Sequence, residues 1–174
     1  MKHVLLSALL SLIAAQSFAL NTQRIYERKP NPYVGQDEKA WVEVPQALAA
    51  YPSKPEWLQL DMPVTVRPAI FVNLNDLQRG EDQVIRLTLR QLSKSGIDNI
   101  SREGLHCSQR SYRSYAFADL VNQRWIESQN PQWRKLDGLD MLRRELIAAM
   151  CPDGWMPLSD NDLTANLQRA SKKH

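Results

Sequence analysis

The sequence predicts an α+β domain in which an antiparallel sheet of about four strands, over residues 63 to 127, is covered by one C-terminal helix at about 138 to 151. Three observations predict it. A two-residue alternation of apolar and polar side chains runs through the centre, a helical spacing replaces it near the end, and the two cysteines sit where these patterns stop. Cys107 closes a candidate strand and Cys151 closes the candidate helix, so a disulfide between them would clamp sheet to helix.

The 174-residue chain opens with Lys2 and His3, then an apolar run from Val4 to Ala15, then Gln16, Ser17, Phe18 and Ala19. A charged start, an apolar core and small residues three and one places before a cut after Ala19 read as an export signal over residues 1–19. The run is shorter than the roughly 20 residues a spanning helix needs, and no later stretch is apolar enough to cross a membrane. Cleavage near Ala19 would leave 155 residues, enough for one domain with a continuous core. An oxidising destination lets a disulfide form and persist. The loop that Cys107 and Cys151 would close is about 45 residues long, for which chain entropy gives roughly 4 kcal/mol of stabilisation.

Residues 20–36 are polar, with Pro30, Pro32 and Gly35, and read as a flexible lead-in to a single globular domain at 37–155. From Trp41 to Pro63, Pro45, Pro52, Pro55 and Pro63 exclude long regular elements. A short helical turn near Gln46 to Ala50 and extended segments are expected there. Val64, Val66, Ile70, Val72 and Leu74 then share one parity while Thr65, Arg67 and Asn73 take the other, which predicts a strand with one buried face. Pro68 interrupts it and predicts an edge position or a bulge. Ile85, Leu87 and Leu89 alternate with Arg86, Thr88 and Arg90 in a second strand, joined to the first region through a turn at Gln78 to Asp82 around Gly80. Segments 97–107 and 111–118 continue the alternation less cleanly.

Leu139, Leu142, Leu146, Ile147 and Met150 recur at helical spacing, with Asp137 as the expected N-cap and Pro152-Asp153-Gly154 as the stop. The tail at 156–174 carries a capping pattern at Ser159, Asp160 and Asp162, followed by Leu163, Leu167 and Ala170. So thin an apolar stripe leaves a last helix and a frayed tail both open.

With the signal removed, 21 basic side chains face 19 acidic ones, and a net charge of +2 does not argue for capture of nucleic acid or anionic lipid. Arg110, Tyr112, Arg113 and Tyr115 interleave cations with aromatics as single-strand binders do, but the same residues suit a half-exposed strand. Six unclustered glycines provide no phosphate loop, dinucleotide fingerprint or nucleophile elbow. Only His106 and His174 remain after processing, so no zinc site, other metal or cofactor is expected, and no catalytic residue is assigned. His106 and Cys107 are strand neighbours pointing to opposite faces, which favours a structural cysteine beside a surface histidine over a thiol–imidazole pair. The tryptophans at 41, 57, 125, 133 and 155 are expected in the core or at its rim, an exposed pair being the alternative as a sugar or peptide platform.

Glu103 shares a strand face with Leu105 and Cys107. On a buried face its carboxylate needs an arginine, since an unpaired buried charge is costly. Arg86 or Arg102 is the expected partner, which makes Arg86, Arg102 and Glu103 the candidate polar cluster, functional or structural. A catalytic acid at Glu103 would want a second carboxylate, and the sequence puts none beside it.

The run Asn99-Ile-Ser-Arg-Glu-Gly-Leu-His-Cys107 resembles the signature of the cryptic neisserial protein-like family, an exported bacterial domain without an assigned activity. Supporting marks, in order, are Trp41-Val42-Glu43, Val84-Ile85-Arg86, Ser93 to Gly96, Tyr115-Ala116, Trp125, Trp133 and Cys151, so the resemblance covers roughly residues 37 to 152. It implies residence in the periplasm and brings no catalytic residues. The expected function is a non-enzymatic binding or structural role in the bacterial envelope, with a periplasmic or envelope protein as partner and no nucleic acid. The alternative is a hydrolase acting on cell-wall material through Glu103 and neighbouring arginines.

Overall fold

In the computed structural model, which describes residues 41–172, the central alternation becomes the middle of an eight-stranded sheet. The strands are β1 (Trp57–Leu60), β2 (Ala69–Asn73), β3 (Gln78–Arg79), β4 (Val84–Leu92), β5 (Asp98–His106), β6 (Ser111–Asp119), β7 (Arg124–Glu127) and β8 (Arg134–Lys135). Two helices follow, α1 (Met141–Met150) and α2 (Asp160–Ala170). Six strands lie side by side in the order β1-β2-β4-β5-β6-β7. β3 takes up the edge of β4 where β2 ends, and β8 does the same for β6 beyond β7. The seven pairings among the described residues are all antiparallel.

The α+β class therefore holds, with eight strands in place of about four and two helices in place of one. The strands absent from the sequence reading, β1, β3, β7 and β8, are two to four residues long. A period of two needs several repeats to register, and these offer one or two. The long strands β4, β5 and β6, nine residues each, are the ones whose alternation was visible.

Four local expectations are corrected. Val64 and Val66 lie outside any strand, Val64 is 96% exposed, and the Val66 N–H donates to the Pro63 carbonyl in a turn (2.8 Å). β2 begins just after Pro68, so the missing proline donor falls outside the ladder and β2 sits between β1 and β4, not at an edge. Residues 46–50 form no helical turn. The α1 N-cap is Asp140, whose carboxylate accepts from the Arg143 N–H (3.0 Å), while Asp137 caps the turn before it through the N–H groups of Leu139 and Asp140.

One face of the sheet carries Ile70, Val72, Ile85, Leu87, Leu89 and Leu105, all without solvent exposure, and both helices pack on it. α1 contributes Leu146, Ile147 and Met150. Leu163 and Leu167 of α2 are also fully buried in this cluster, so the thin stripe resolves as a packed helix. Each such leucine stabilises the fold by roughly 1.5–3 kcal/mol relative to exposure. Ser159 caps α2 through the Asp162 N–H (3.1 Å). Cys107, one residue past β5, is disulfide-bonded to Cys151, one residue past α1, with Cα atoms 5.7 Å apart, which ties the sheet to its helical cover. Among the described residues no helix is long and apolar enough to cross a membrane. The export signal, its cut near Ala19 and the lead-in at 20–36 lie outside the described residues.

Candidate functional site

Side chains alternate across a strand, and this divides the expected polar cluster between the two faces of the sheet. Glu103 stands opposite Leu87 on the helical face, whereas Arg86 stands opposite Gly104 and Arg102 opposite Thr88 on the other. The three do not form one cluster. Glu103, 1% exposed, binds neither expected arginine. Its oxygens accept from Nε (2.8 Å) and Nη2 (2.7 Å) of Arg143 on α1, and from the Ser101 hydroxyl (2.8 Å). Arg143 in turn lies over the Tyr112 ring at 4.1 Å and reaches Asp140 (3.1 Å). Burial works against the Arg143 charge, and Glu103 and Asp140 more than offset it, holding the guanidinium above its usual range. This is a buried pair that fixes α1 on the sheet, and its partner could not be read from strand periodicity because it comes from a helix 40 residues away.

The opposite face is crossed by residues 41–51, an extended strap. Glu43 is its anchor. Oε1 accepts from the Tyr115 hydroxyl (2.5 Å) and Arg86 Nη2 (3.1 Å), and Oε2 accepts from Arg113 Nη1 (2.5 Å) and Trp133 Nε1 (2.8 Å). Burial alone would raise the Glu43 pKa, but the hydrogen bonds from Tyr115 and Trp133 and the charge of Arg113 outweigh it and hold the carboxyl below its ordinary range. Tyr115 moves the other way: burial and the Glu43 carboxylate raise its hydroxyl well above the usual range.

Asp82, in the β3–β4 turn, holds the strap a second time. It grips Arg86 through both oxygens (2.6 and 3.1 Å) and accepts from the Val44 N–H (3.0 Å), while its carbonyl accepts from Trp41 Nε1 (2.6 Å). Burial opposes its ionisation, Arg86 and the backbone donors more than compensate, and its pKa is lowered. Two glycines make room for this network. A Cβ on Gly80 would run into the Asp82 carboxylate and Arg86, and one on Gly104 would run into the Tyr115 hydroxyl. At its far end the strap is held by Trp125, whose Nε1 donates to the Ala49 carbonyl (3.0 Å) and whose ring meets Tyr51 at 5.4 Å.

Between those attachments the strap roofs a cleft of about 150 Å³, lined by Glu43, Gln46 to Ala49, Arg86, Arg102, Tyr115, Glu127, Ser128 and Pro131. Both terminal nitrogens of Arg86 are engaged, with Asp82, Glu43 and the Val44 carbonyl. Arg102 differs. It is 3% exposed, and Nη1 meets the Asp76 carbonyl (3.0 Å) and carboxylate (3.1 Å). Nε and Nη2 meet no acceptor among the described residues, and the side chain lines the cleft. Burial lowers its pKa despite Asp76.

His106, expected at the surface, is 2% exposed on this same face. It lies edge-on to Trp41 (4.6 Å) and near Trp133 (6.4 Å), and its Nδ1 accepts from the Gln109 N–H (3.3 Å). Nε2 is buried with no partner among the described residues, and burial pushes the ring below the ordinary imidazole range. The cation–aromatic run is likewise engaged internally, with Arg113 and Tyr115 on Glu43 and Tyr112 under Arg143. Among the described residues no group of three or more His, Cys, Asp or Glu could hold a metal ion.

Glu43, Asp82 and Glu127 carried no signal in periodicity or spacing, and Arg113 stood out only in the cation–aromatic run, which does not point to Glu43. The signal for Glu43 was the ordered set of resemblance marks. Trp41, Glu43, Arg86, Tyr115, Ala116, Trp125 and Trp133 are dispersed over more than 90 residues and converge here.

Residues 36–168 match the model of the CNP1-like family. A curated relative, "Cryptic neisserial protein 1" of Neisseria gonorrhoeae (strain ATCC 700825 / FA 1090), is 28% identical over 122 residues, a stretch that covers 62% of this chain and 60% of that protein. No solved structure matches.

Proposed function

The chain belongs to the CNP1-like family, and on that premise we propose that it is an exported, periplasmic envelope protein that works by binding, with the strap-roofed cleft as its ligand site. The observation that carries this is the state of the carboxylates. Glu43 and Asp82 are clamped by arginines and lowered in pKa, so neither is a proton donor near neutral pH. Glu103, the acid of the hydrolase alternative, is buried on the opposite face with both oxygens taken by Arg143 and Ser101. Retaining and inverting glycoside hydrolysis both use two carboxyl groups flanking one bond; of the two that line the cleft, Glu43 is committed to four donors, which leaves Glu127 without a companion. What the cleft offers instead is the buried guanidinium of Arg102, whose Nε and Nη2 meet no acceptor among the described residues, and such donors are the equipment of recognition.

Native mass spectrometry of the protein released from the periplasm by osmotic shock tests this reading. The expected species is an oxidised chain beginning at Leu20 that carries a non-covalent adduct. A chain retained in the cytoplasm, or one recovered bare at native expression, overturns it.

A further inference from the structure

The charges left unused in the cleft form a pattern. Arg102, Ala116 and Glu127 occupy one row across β5, β6 and β7, each directly opposite the next, so all three project on the strap side of the sheet. Adjacent strands lie about 4.8 Å apart, which puts the backbones of Arg102 and Glu127 roughly 10 Å apart with the smallest of the three side chains between them. Ala116 is fully buried, and its neighbour Tyr115, at the β-bulge, lines the cleft from β6. The two long side chains that flank it have opposite charge, yet they make no ion pair with each other. Arg102 uses only Nη1, on Asp76, and Glu127 makes no ion pair or side-chain hydrogen bond among the described residues. The other charges of the cleft are committed, Arg86 to Asp82 and Glu43, and Glu43 to four donors.

We propose that this cleft binds a small zwitterion of the α-amino-acid kind, its carboxylate on the free edge of Arg102 and its ammonium on Glu127. The inference rests on the reading of the cleft as a ligand site. Guanidinium donors on one edge match a planar carboxylate, and a carboxylate acceptor on the far side matches an ammonium. Ala47, Leu48, Ala49 and Pro131 add an apolar wall, which suits a small aliphatic side chain. A cavity of about 150 Å³ is the size that admits one benzene-sized molecule, so the ligand is small.

The test is a titration of the oxidised mature protein, followed through the methyl resonances of Ala47, Ala49 and Ala116. Three probes are compared: alanine, alaninamide, which lacks the carboxylate, and N-acetylalanine, which lacks the ammonium. Alanine is expected to shift these methyls saturably, with each blocked form at least tenfold weaker. Arg102→Gln is expected to remove the preference for alanine over alaninamide, and Glu127→Gln the preference over N-acetylalanine. Glu127 is exposed, so its variant folds whatever happens at Arg102. No saturable shift with alanine, or equal binding of all three probes, overturns the inference. An adduct on the periplasmic protein together with a null titration rejects the zwitterion and leaves the binding function standing, whereas a bare periplasmic protein rejects the function itself.

Discussion

Glu43 concentrates more interactions than any other side chain of the strap, and Glu103 is its counterpart across the sheet. Removing one member of a buried ion pair strands the other, at about 3–5 kcal/mol. Glu43→Gln keeps two polar atoms but loses the charge that Arg86 and Arg113 share, so urea unfolding should show a loss near the lower end of that range, about 3 kcal/mol. Arg143→Met leaves Glu103 buried and unpaired and should cost about 3–5 kcal/mol, whereas the double change Arg143→Met with Glu103→Leu should recover most of it. If the double variant is no more stable than the single one, the structural account of Glu103 fails. Neither set of partners was legible from residue type alone. Parity correctly put Glu103 on the face of Leu105 and Cys107, but Arg86 and Arg102, sharing the other parity, were already excluded as its partners by the same rule.

At the scale of elements, legibility followed length. β4 alternates along most of its length, β5 and β6 do so less cleanly but over nine residues, and α1 carries an apolar stripe through its whole length, so both types could be recognised. α2 has the same architecture with fewer apolar residues: its buried side is Leu163, Leu167 and Ala170 together with the polar Asn166, which donates to the Met150 carbonyl. Its place in the core predicts that Leu167→Ala costs about 2–5 kcal/mol, read by thermal or urea unfolding. A frayed tail would show no change. The disulfide joins the end of β5 to the end of α1 across 44 residues, and reduction should lower stability by up to roughly 4 kcal/mol with the sheet face beneath the strap intact. The strap defeated periodicity altogether: it has neither helix nor strand, and side-chain bonds to distant strands hold it in place.

For the molecule as a whole, the two faces of the sheet differ in chemistry, one apolar under helices and one ionic under the strap, and this predicts the dependence of stability on pH. His106 has a folded pKa below its unfolded value of 6.5, so the unfolded chain takes up the proton first, and stability should fall as pH drops below about 6.5. Glu43 and Asp82 have folded values below 4.5 and 3.8. Their contribution is present above those values and is lost as pH falls through the lower, folded ones, which gives a second decline in acid. His106→Gln should remove the first decline and leave the second. The proposed binding role puts the ligand in the strap-roofed cleft. A photo-crosslinking residue at Leu48, in the cleft wall, tests it most directly in intact cells, with Leu158, exposed beyond α1, as the control position. An adduct of defined mass is expected at position 48 and not at 158, and the same adducts at both positions, or none at 48, would rule the cleft out as the ligand site.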